Sequence, residues 1–410
     1  MPDYLLNEGY KNNKFIFEKA LGSKIYCKNK KYIDLSFSAG SLLLGHQSKI
    51  FRKSINNILK NKLSILASPN KQAMEYSLLL KKIYPRYSKF IFCSTGSEAV
   101  LKSLRIARAL SKNKIIISVT GSWHGSNDKT LFAPNNKLVS IPMSEGLSKE
   151  DQTNIKFIPY NNKKKSLKIL NKYNKKISCI IIEPIQAGLP DPNAKDYLEF
   201  LYKYSKSQKK ILVFDETITG IRTGCSSVQQ IYKLKPDITT FGKCFGGGMP
   251  IGVIALTKRI EKKLSSSKTK VFFGGTFSGN SLSTFVGKET VTYIFRNKKK
   301  IFLSLKNKSN YFLNKINKII NQNKLNISIF SFYSMFRIIF TKEKVKNRIQ
   351  RDFFEKKNFK KINLFRKFLF KHSIYYPNNG IIFFSCQTSL KDIDKIIRVF
   401  EAGLLKYFKK

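Results

Sequence analysis

The chain has 410 residues, of which 77 are basic and 25 acidic, and its formal net charge at neutral pH is +52. A hydrophobic fraction of 42% is enough for a sizeable core, and this length predicts two domains. The basic residues run from end to end together with much Asn, Ile, Tyr and Phe. A bias in the coding sequence would explain them as well as a nucleic-acid surface would, so we expect no specific nucleic-acid partner.

Targeting signals and metal motifs are not apparent. The first residues, MPDYLLNEGYKNNKF, lack the apolar centre of a signal peptide, and no apolar run approaches the ~20 residues that span a bilayer. The six cysteines form no CxxC pair, and there are only three histidines. The sequence therefore predicts a cytoplasmic protein with reduced thiols, without a metal site or a membrane contact.

Residues 1–50 read as strands and turns, and we predict that they form the N-terminal part of a small domain. From about residue 90, short β-branched or aromatic runs alternate with segments of helical periodicity. These runs are FIFCST, KIIISVT, SCIIIEP, KILVFDE and GVIALT. The alternation predicts an α/β fold, with a mostly parallel sheet covered by helices on both faces. Ligands of such sheets bind at the carboxyl ends of the strands.

The helical periodicity is clearest in SEAVLKSLRIARALSK and KDYLEFLYKYSK. We predict that the large domain covers residues 51–295. Residues 296–410 mix Lys/Asn-rich helices with the strand-like runs FRIIFTK and GIIFFSC. We expect this segment to join residues 1–50 in one smaller domain made from both termini.

A glycine and several hydroxyls follow the first of these strands, in FCSTGSEAV. Thr95 and Glu98 have the spacing of a capping box. Gly96 and Ser97 then lie at a helix N-terminus, where backbone N–H groups form an anion site. A plain helix cap would give the same local pattern, so this motif alone leaves both interpretations open.

Two further strands end in polar or aromatic residues. VTGSWHG contains the only tryptophan, Trp123, followed by His124. An aromatic ring at a strand end can stack on a flat cofactor, although a core tryptophan is equally consistent with the pattern. In IIEPIQAG, Glu183 and Gln186 offer polar contacts at another strand end.

An aspartate ends one of these strands, and a lysine follows a further strand-like segment, PDITTFG. Asp215 closes KILVFDE, and Lys243 lies between PDITTFG and three glycines. Enough residues separate them for one crossover helix and the next strand, so we expect their side chains to meet. A lysine acts as a nucleophile only when its amine is neutral or held as an imine. A carboxylate facing such a lysine suits pyridoxal phosphate, whose ring nitrogen it keeps protonated.

These motifs occur together with YIDLSFSAGSLLLGH, VFDETITGIRTG, PDITTFGKCFGGGMPIG and GGTFSGNSLS. In this combination the chain resembles the class III aminotransferases, which are fold-type I enzymes dependent on pyridoxal phosphate. The resemblance extends over almost the whole chain and is greatest to the glutamate-1-semialdehyde 2,1-aminomutase branch. It implies a large domain with a seven-stranded, mostly parallel sheet and a smaller α+β domain from both termini.

The resemblance also implies roles for individual residues. Lys243 matches the lysine that forms the Schiff base, and Asp215 matches the residue bonded to the pyridine nitrogen. The other implied cofactor contacts are Gly96 and Ser97 for the phosphate, Trp123 for stacking with His124 after it, Thr217 against the ring, and Gln186 near the ring hydroxyl. Thr276 matches a threonine that reaches the phosphate of the neighbouring subunit, which implies a homodimer with shared active sites.

Two departures concern the substrate. The aminomutases have an arginine in the N-terminal segment, but the first 50 residues here contain none. They also have a glutamate about where Gly380 stands. We therefore expect an aminotransferase acting on a different aldehyde or ketone through the Lys243 Schiff base. Intramolecular transfer, as in the aminomutases, is the alternative, and an inactive basic binding protein is a remote one.

Overall fold

The computed structural model describes residues 15–66, 68–266 and 270–409. Its strands are β1 (Lys19–Leu21), β2 (Lys24–Cys27), β3 (Lys30–Asp34), β4 (Tyr87–Cys93), β5 (Ile115–Val119), β6 (Phe132–Pro134), β7 (Ser140–Pro142), β8 (Ile155–Ile158), β9 (Ile177–Ile182), β10 (Ile211–Asp215), β11 (Ile238–Gly242), β12 (Gly252–Thr257), β13 (Ser328–Phe332), β14 (Met335–Ile339), β15 (Ile374–Tyr375) and β16 (Ile381–Phe383).

Its α-helices are α1 (Phe37–Gly40), α2 (Lys49–Lys60), α3 (Lys71–Ile83), α4 (Gly96–Ser111), α5 (Lys149–Asn154), α6 (Lys163–Tyr173), α7 (Lys195–Ser207), α8 (Val228–Ile231), α9 (Lys258–Ser266), α10 (Ser281–Arg296), α11 (Lys298–Gln322), α12 (Arg348–Lys357), α13 (Phe359–Lys371) and α14 (Leu390–Phe408). Short 3₁₀ turns occupy Asn174–Lys176, Pro192–Ala194 and Lys243–Gly246.

The central sheet has seven strands in the order β4-β12-β11-β10-β9-β5-β8. β10 runs parallel to β9 and β11, and β5 runs parallel to β8 and β9. β12 is antiparallel to both of its neighbours, β11 and β4. Only a short glycine-rich turn joins β11 to β12, and a parallel crossover needs a much longer connection. The predicted α/β fold with a mostly parallel sheet is confirmed.

The core lies on both faces of this sheet. Along β9 the side chains alternate: Cys179 and Ile181 join one apolar cluster, whereas Ile180 and Ile182 join another. This is the period of two that a strand imposes. The first cluster contains the buried face of α4, and the second contains that of α7. Covered strands of this kind explain the near-continuous apolar runs in the sequence.

The flanks of the chain form smaller sheets. One has the order β1-β2-β3-β15, in which Ile374 of β15 pairs in parallel with Ile33 of β3. The other has the order β13-β14-β16. Residues from both flanks, including Ile33, Phe336 and Phe400, belong to one apolar cluster. This shared cluster supports the proposal of a single small domain, whose boundaries stay a prediction.

The six cysteines are free, and Cys386 is the least buried of them. No helix within the described ranges combines the length and the apolar character needed to cross a bilayer. The same ranges contain no group of three or more His, Cys, Asp or Glu side chains arranged to hold a metal ion.

Candidate active site

A cleft of about 470 Å³ opens at the carboxyl ends of the central strands. Asp215, the last residue of β10, pairs with Thr240 of β11. Lys243 follows three residues later, so it lies just past the end of β10, near Asp215. The crossover between these strands contains only the single turn α8, shorter than the helix we expected. The candidate residues that line the cleft are Gly96, Ser97, Trp123, His124, Glu183, Asp215, Thr217 and Lys243.

Lys243 follows β11 in a left-handed conformation, with φ of 50°. Its Nζ donates a hydrogen bond of 2.7 Å to the carbonyl of Ala39. Burial lowers the pKa of Lys243, and the nearby carboxylates of Glu183 and Asp215 oppose this effect without cancelling it. The site therefore makes the amine easier to deprotonate, as a nucleophilic lysine requires.

The segment that faces Lys243 is itself strained. Phe37, Ser38 and Ala39 have φ values of 44°, 52° and 55°, all in the left-handed region, so the short element α1 is a left-handed turn and not a right-handed helix. The carboxylate of Asp34 holds the start of this segment by accepting from Ser36 N at 2.7 Å and Phe37 N at 3.0 Å. Such side-chain bonds to consecutive backbone N–H groups fix a turn that the residues would not adopt alone.

Arg222 holds the far end of the same segment. Its Nη2 donates to the Gly40 carbonyl at 2.6 Å, and its Nη1 donates to Ser334 Oγ at 3.0 Å and to the Phe384 carbonyl at 3.1 Å. The side chain is fully buried. Arg222 thus joins parts of the chain that are far apart in sequence, and it does not line the cleft.

Asp215 is buried at the end of β10 and accepts hydrogen bonds at both oxygens. His124 Nδ1 lies 2.9 Å from Oδ2, whereas the hydroxyls of Thr217 and Thr240 donate to Oδ1 at 2.6 Å and 2.9 Å. Burial raises the pKa of this carboxyl, but the hydrogen bonds, led by that from His124, outweigh it. The pKa therefore lies below its ordinary value, and the group stays ionised.

Glu183 and His124 are buried beside Asp215. Burial raises the pKa of Glu183 to about 7, and the charge of Asp215 adds to the effect. The Glu183 carboxylate accepts from the backbone N–H of Trp123 at 2.7 Å. His124 Nε2 has no hydrogen-bond partner in the part of the chain that the structure describes. A buried polar atom without a partner is unusual and calls for an explanation such as a missing ligand.

The first turn of α4 forms the opposite wall. Thr95 Oγ1 accepts from Glu98 N at 3.1 Å, as the predicted capping box requires, but the Glu98 carboxylate bonds Ser94 N instead of Thr95 N. A Cβ on Gly96 would lie 2.9 Å from Cγ2 of Thr217, so only glycine fits there without a shift. Ser97 Oγ accepts from Ser126 N at 3.2 Å. The first backbone N–H groups of a helix have no acceptor within the helix, so this turn is a candidate anion site.

Three of the predicted residues are less enclosed or lie elsewhere. Trp123 lines the cleft but is 47% exposed. Gln186 is buried behind the cleft, where its Nε2 donates to the Thr120 carbonyl at 2.9 Å, and its Oε1 has no partner among the described residues. Thr276 is exposed on loop 270–280 and is not among the residues that line the cleft of its own chain.

The cleft lining contains no arginine within the described ranges. Arg337 extends over Gly380, where a Cβ would lie 2.9 Å from the guanidinium carbon. The guanidinium pairs with Glu355 at 2.6 Å. Gly380, which stands where the aminomutases have a glutamate, thus leaves space for the Arg337 guanidinium. That guanidinium is already paired with Glu355. Sequence reasoning missed this contact because Arg337 on β14 and Gly380, directly before β16, are distant in sequence and meet only through the pairing of these strands.

These observations test whether pyridoxal phosphate fits the site. A helix N-terminus offers an anion site, a half-exposed indole borders it, and an ionised buried carboxylate lies with a lysine of lowered pKa in the same cleft. The unpartnered His124 Nε2 is compatible with a missing group. A flat aldehyde that carries a phosphate and a basic ring nitrogen matches this set of residues.

Comparisons with known proteins identify the family of the chain. The family model described as aminotransferase class-III matches residues 5–361. A glutamate-1-semialdehyde 2,1-aminomutase of Methanosphaera stadtmanae is 30% identical over 98% of this chain and 94% of its own length. The aminomutase of Archaeoglobus fulgidus is 34% identical over 70% of this chain and 69% of its own length.

Solved structures share the fold at lower identity. An omega-transaminase from Sphaerobacter thermophilus has a TM-score of 0.87 at 17% identity, and the match covers 95% of this chain and 90% of that one. A glutamate-1-semialdehyde aminomutase from Pseudomonas aeruginosa has a TM-score of 0.84 at 15% identity, over 96% of this chain and 88% of that one.

Proposed function

Since the chain belongs to the aminotransferase class-III family, we propose that Lys243 and Asp215 are the catalytic pair of its amino-group transfer. The protein is an enzyme with the fold-type I architecture, and its cofactor is pyridoxal phosphate. When bound, this cofactor supplies an aldehyde that condenses with amines and a ring that withdraws electrons from the attached carbon. The observation that carries the proposal is the meeting of a buried ionised carboxylate and a lysine of lowered pKa in one cleft.

In this proposal Lys243 would hold the cofactor through Nζ. When free, Nζ would serve as the base that takes a proton from the substrate carbon and returns it to a neighbouring position. Its lowered pKa suits both tasks, because a general base works best when its pKa approaches the operating pH. The contact with the Ala39 carbonyl supports the position of Nζ at the cleft wall.

Asp215 would keep a proton on the ring nitrogen. Its carboxylate remains negative because His124, Thr217 and Thr240 together stabilise the ionised form. This buried negative charge would stabilise a positive ring nitrogen more strongly than water does, because the surroundings have low polarity.

The first turn of α4, with Gly96 and Ser97, would bind the phosphate through its backbone N–H groups. Trp123 would stack on the ring, and His124 and Glu183, which line the same cleft, would be further contacts of the cofactor. The methyl group of Thr217, which lies next to Gly96, would pack against the ring. Gln186 is proposed as a contact near the ring hydroxyl, although it is not among the residues that line the cleft.

A homodimer forms the second part of the proposal. Several large apolar side chains are exposed on α2, α3 and loop 270–280, namely Leu59, Met74, Leu78, Phe272 and Phe277. Asn70 at the start of α3 donates to the Gly279 carbonyl at 2.9 Å, which joins α3 to the loop. Exposed apolar side chains on neighbouring elements are typical of a protein interface. Thr276 lies beside Phe277 and would reach the partner's phosphate.

The substrate proposed is a carbonyl compound other than glutamate semialdehyde. A carboxylate is best bound by an arginine, which forms two parallel hydrogen bonds. The described residues of the cleft provide no arginine, and Arg337 is paired with Glu355. Free cysteines support the further proposal that the enzyme is cytoplasmic.

Intramolecular amino transfer on glutamate-1-semialdehyde is the second candidate. The named relatives from Methanosphaera stadtmanae and Archaeoglobus fulgidus favour it, because both are glutamate-1-semialdehyde 2,1-aminomutases. An arginine contributed by the second subunit would remove the main objection to this substrate.

A single-turnover experiment separates the two candidates. The enzyme is loaded with pyridoxamine phosphate and mixed with glutamate-1-semialdehyde, without any other carbonyl compound. The proposed transferase yields little 5-aminolevulinate, whereas fast and complete conversion would establish the aminomutase. A parallel screen of amino donors, followed by the change in cofactor absorbance, identifies the substrate class.

A further inference from the structure

A buried lysine, Lys102, connects α4 to loop 270–280. Lys102 is 3% exposed, although lysines are rarely buried. Its Nζ contacts Glu98 Oε1 at 2.5 Å and donates to the carbonyls of Phe273 at 2.6 Å and Gly274 at 2.9 Å. A buried ammonium is tolerated when acceptors replace its lost hydration. Two of these acceptors are backbone atoms of the loop, so the loop conformation and the lysine depend on each other.

Glu98 extends the connection to the start of the helix. One of its oxygens accepts from Ser94 N at 2.7 Å, and the other accepts from Ser278 Oγ at 3.3 Å. Ser278 Oγ also lies 3.3 Å from Lys102 Nζ. The first turn of α4 and the loop are therefore joined by one hydrogen-bonded network.

The loop presents apolar side chains outward while this network holds it from beneath. Phe272 is 74% exposed and Phe277 is 54% exposed. Arg105, also on α4, donates to the Phe272 carbonyl at 2.7 Å. Exposed aromatic side chains on an anchored loop are typical of a surface that docks on another protein.

We propose that Lys102 is a positioning residue that couples cofactor binding at the start of α4 to the docking of a second copy on loop 270–280. This inference rests on the proposed function, in which the phosphate binds at Gly96 and Ser97 and the chain forms a dimer. Ordering the helix start restricts the loop through Glu98 and Lys102, and docking of the loop restricts the helix start. Such coupling is reciprocal, so the cofactor tightens the dimer by the factor by which the dimer tightens cofactor binding.

The experiment measures the dimer dissociation constant of the full chain by sedimentation, with and without saturating pyridoxal phosphate. We expect the cofactor to tighten the wild-type dimer by about 5- to 150-fold, the usual range for coupled sites. Lys102→Met should lower this factor severalfold and accelerate hydrogen exchange in loop 270–280, whereas the direct contact of Thr276 with the partner's phosphate keeps the factor above one. Lys206→Met is the matched control, because Lys206 pairs with Asp237 at 2.9 Å and Arg259 keeps that carboxylate paired at 2.8 Å. The control should retain the wild-type factor.

The outcomes distinguish this inference from the proposed function. A wild-type chain that is monomeric or does not bind pyridoxal phosphate contradicts the proposed function. A folded Lys102→Met variant that keeps the wild-type factor overturns the coupling role. If Lys102→Met does not fold, Glu98→Gln and Ser278→Ala decide: a reduced factor in these variants supports the role, and an unchanged factor overturns it.

Discussion

Lys243 and the segment it touches both have strained backbones. A residue other than glycine in the left-handed region costs about 1–3 kcal/mol and persists where the surrounding structure enforces it, often at functional sites. Lys243 could be identified as a candidate catalytic residue from the glycines that follow it in the sequence. Nothing in SFSAG indicated that Phe37, Ser38 and Ala39 would all adopt positive φ values, because the bonds that hold them come from Asp34 and Arg222.

The Asp215→Asn variant tests the carboxylate. An amide of the same size keeps the fold but cannot hold a proton on the ring nitrogen. We expect turnover to fall by about 10²- to 10³-fold, as when a preorganised electrostatic group is removed, with a smaller effect on cofactor affinity. The measurement is the rate of proton transfer in single turnovers. Wild-type turnover in this variant would exclude the proposed role.

The pH dependence of stability tests the environment of Glu183. Its pKa rises from 4.5 to about 7 on burial, so between these values the folded state keeps a proton that the unfolded state has released. The unfolded state then binds fewer protons, and the stabilisation present below pH 4.5 is lost as the pH rises toward 7. Glu183→Gln removes this dependence.

The measurement is the Tm of the cofactor-free protein and of its Glu183→Gln variant between pH 4.5 and 8. The wild-type Tm should decline relative to that of the variant as the pH rises. Glu216 also has a pKa raised to about 7. Because both proteins contain Glu216, its effect on Tm cancels in the difference between them. A constant difference in Tm across this range would contradict the assigned environment.

At the scale of elements, most of the large sheet followed from the sequence. The five apolar runs and the PDITTFG segment correspond to β4, β5, β9, β10, β11 and β12. The short strand β8 was not predicted, since four residues carry little periodicity. The reversed direction of β12 depends on the length of a glycine turn, which the apolar pattern does not encode. The hydrogen-bonded network around Lys102 could not be predicted from the sequence either, because it joins residues that are distant in the chain.

The first turn of α4 can be tested as an element. Thr95→Ala removes the N-cap bond to Glu98 N and should cost about 1 kcal/mol in the free energy of unfolding. Because the same turn binds the phosphate, the variant should also bind pyridoxal phosphate more weakly. Asn162→Ala removes a similar cap from α6, which lies outside the cleft lining, and should lose stability without losing cofactor affinity. Equal cofactor affinity in both variants would contradict the phosphate assignment.

At the scale of the whole molecule, the proposed dimer places Thr276 in the partner's site. A mixed dimer of Thr276→Ala and Lys243→Ala chains then combines both defects in one site and leaves the other site intact. Verified mixed dimers should recover about half of the wild-type activity, since one of two sites works. Their isolation requires different tags on the two chains. An absence of recovery would indicate that Thr276 serves its own subunit.

The position of the covalent cofactor bond tests the catalytic role of Lys243. The full chain is loaded with pyridoxal phosphate, reduced with borohydride and digested, and the modified peptides are identified by mass spectrometry. We expect one dominant adduct on Lys243, because its pKa is lowered by burial, and only background labelling of the many exposed lysines. The Lys243→Ala variant should lose this adduct and keep its fold. Labelling spread over surface lysines, or unchanged covalent retention in Lys243→Ala, would contradict the role of Lys243.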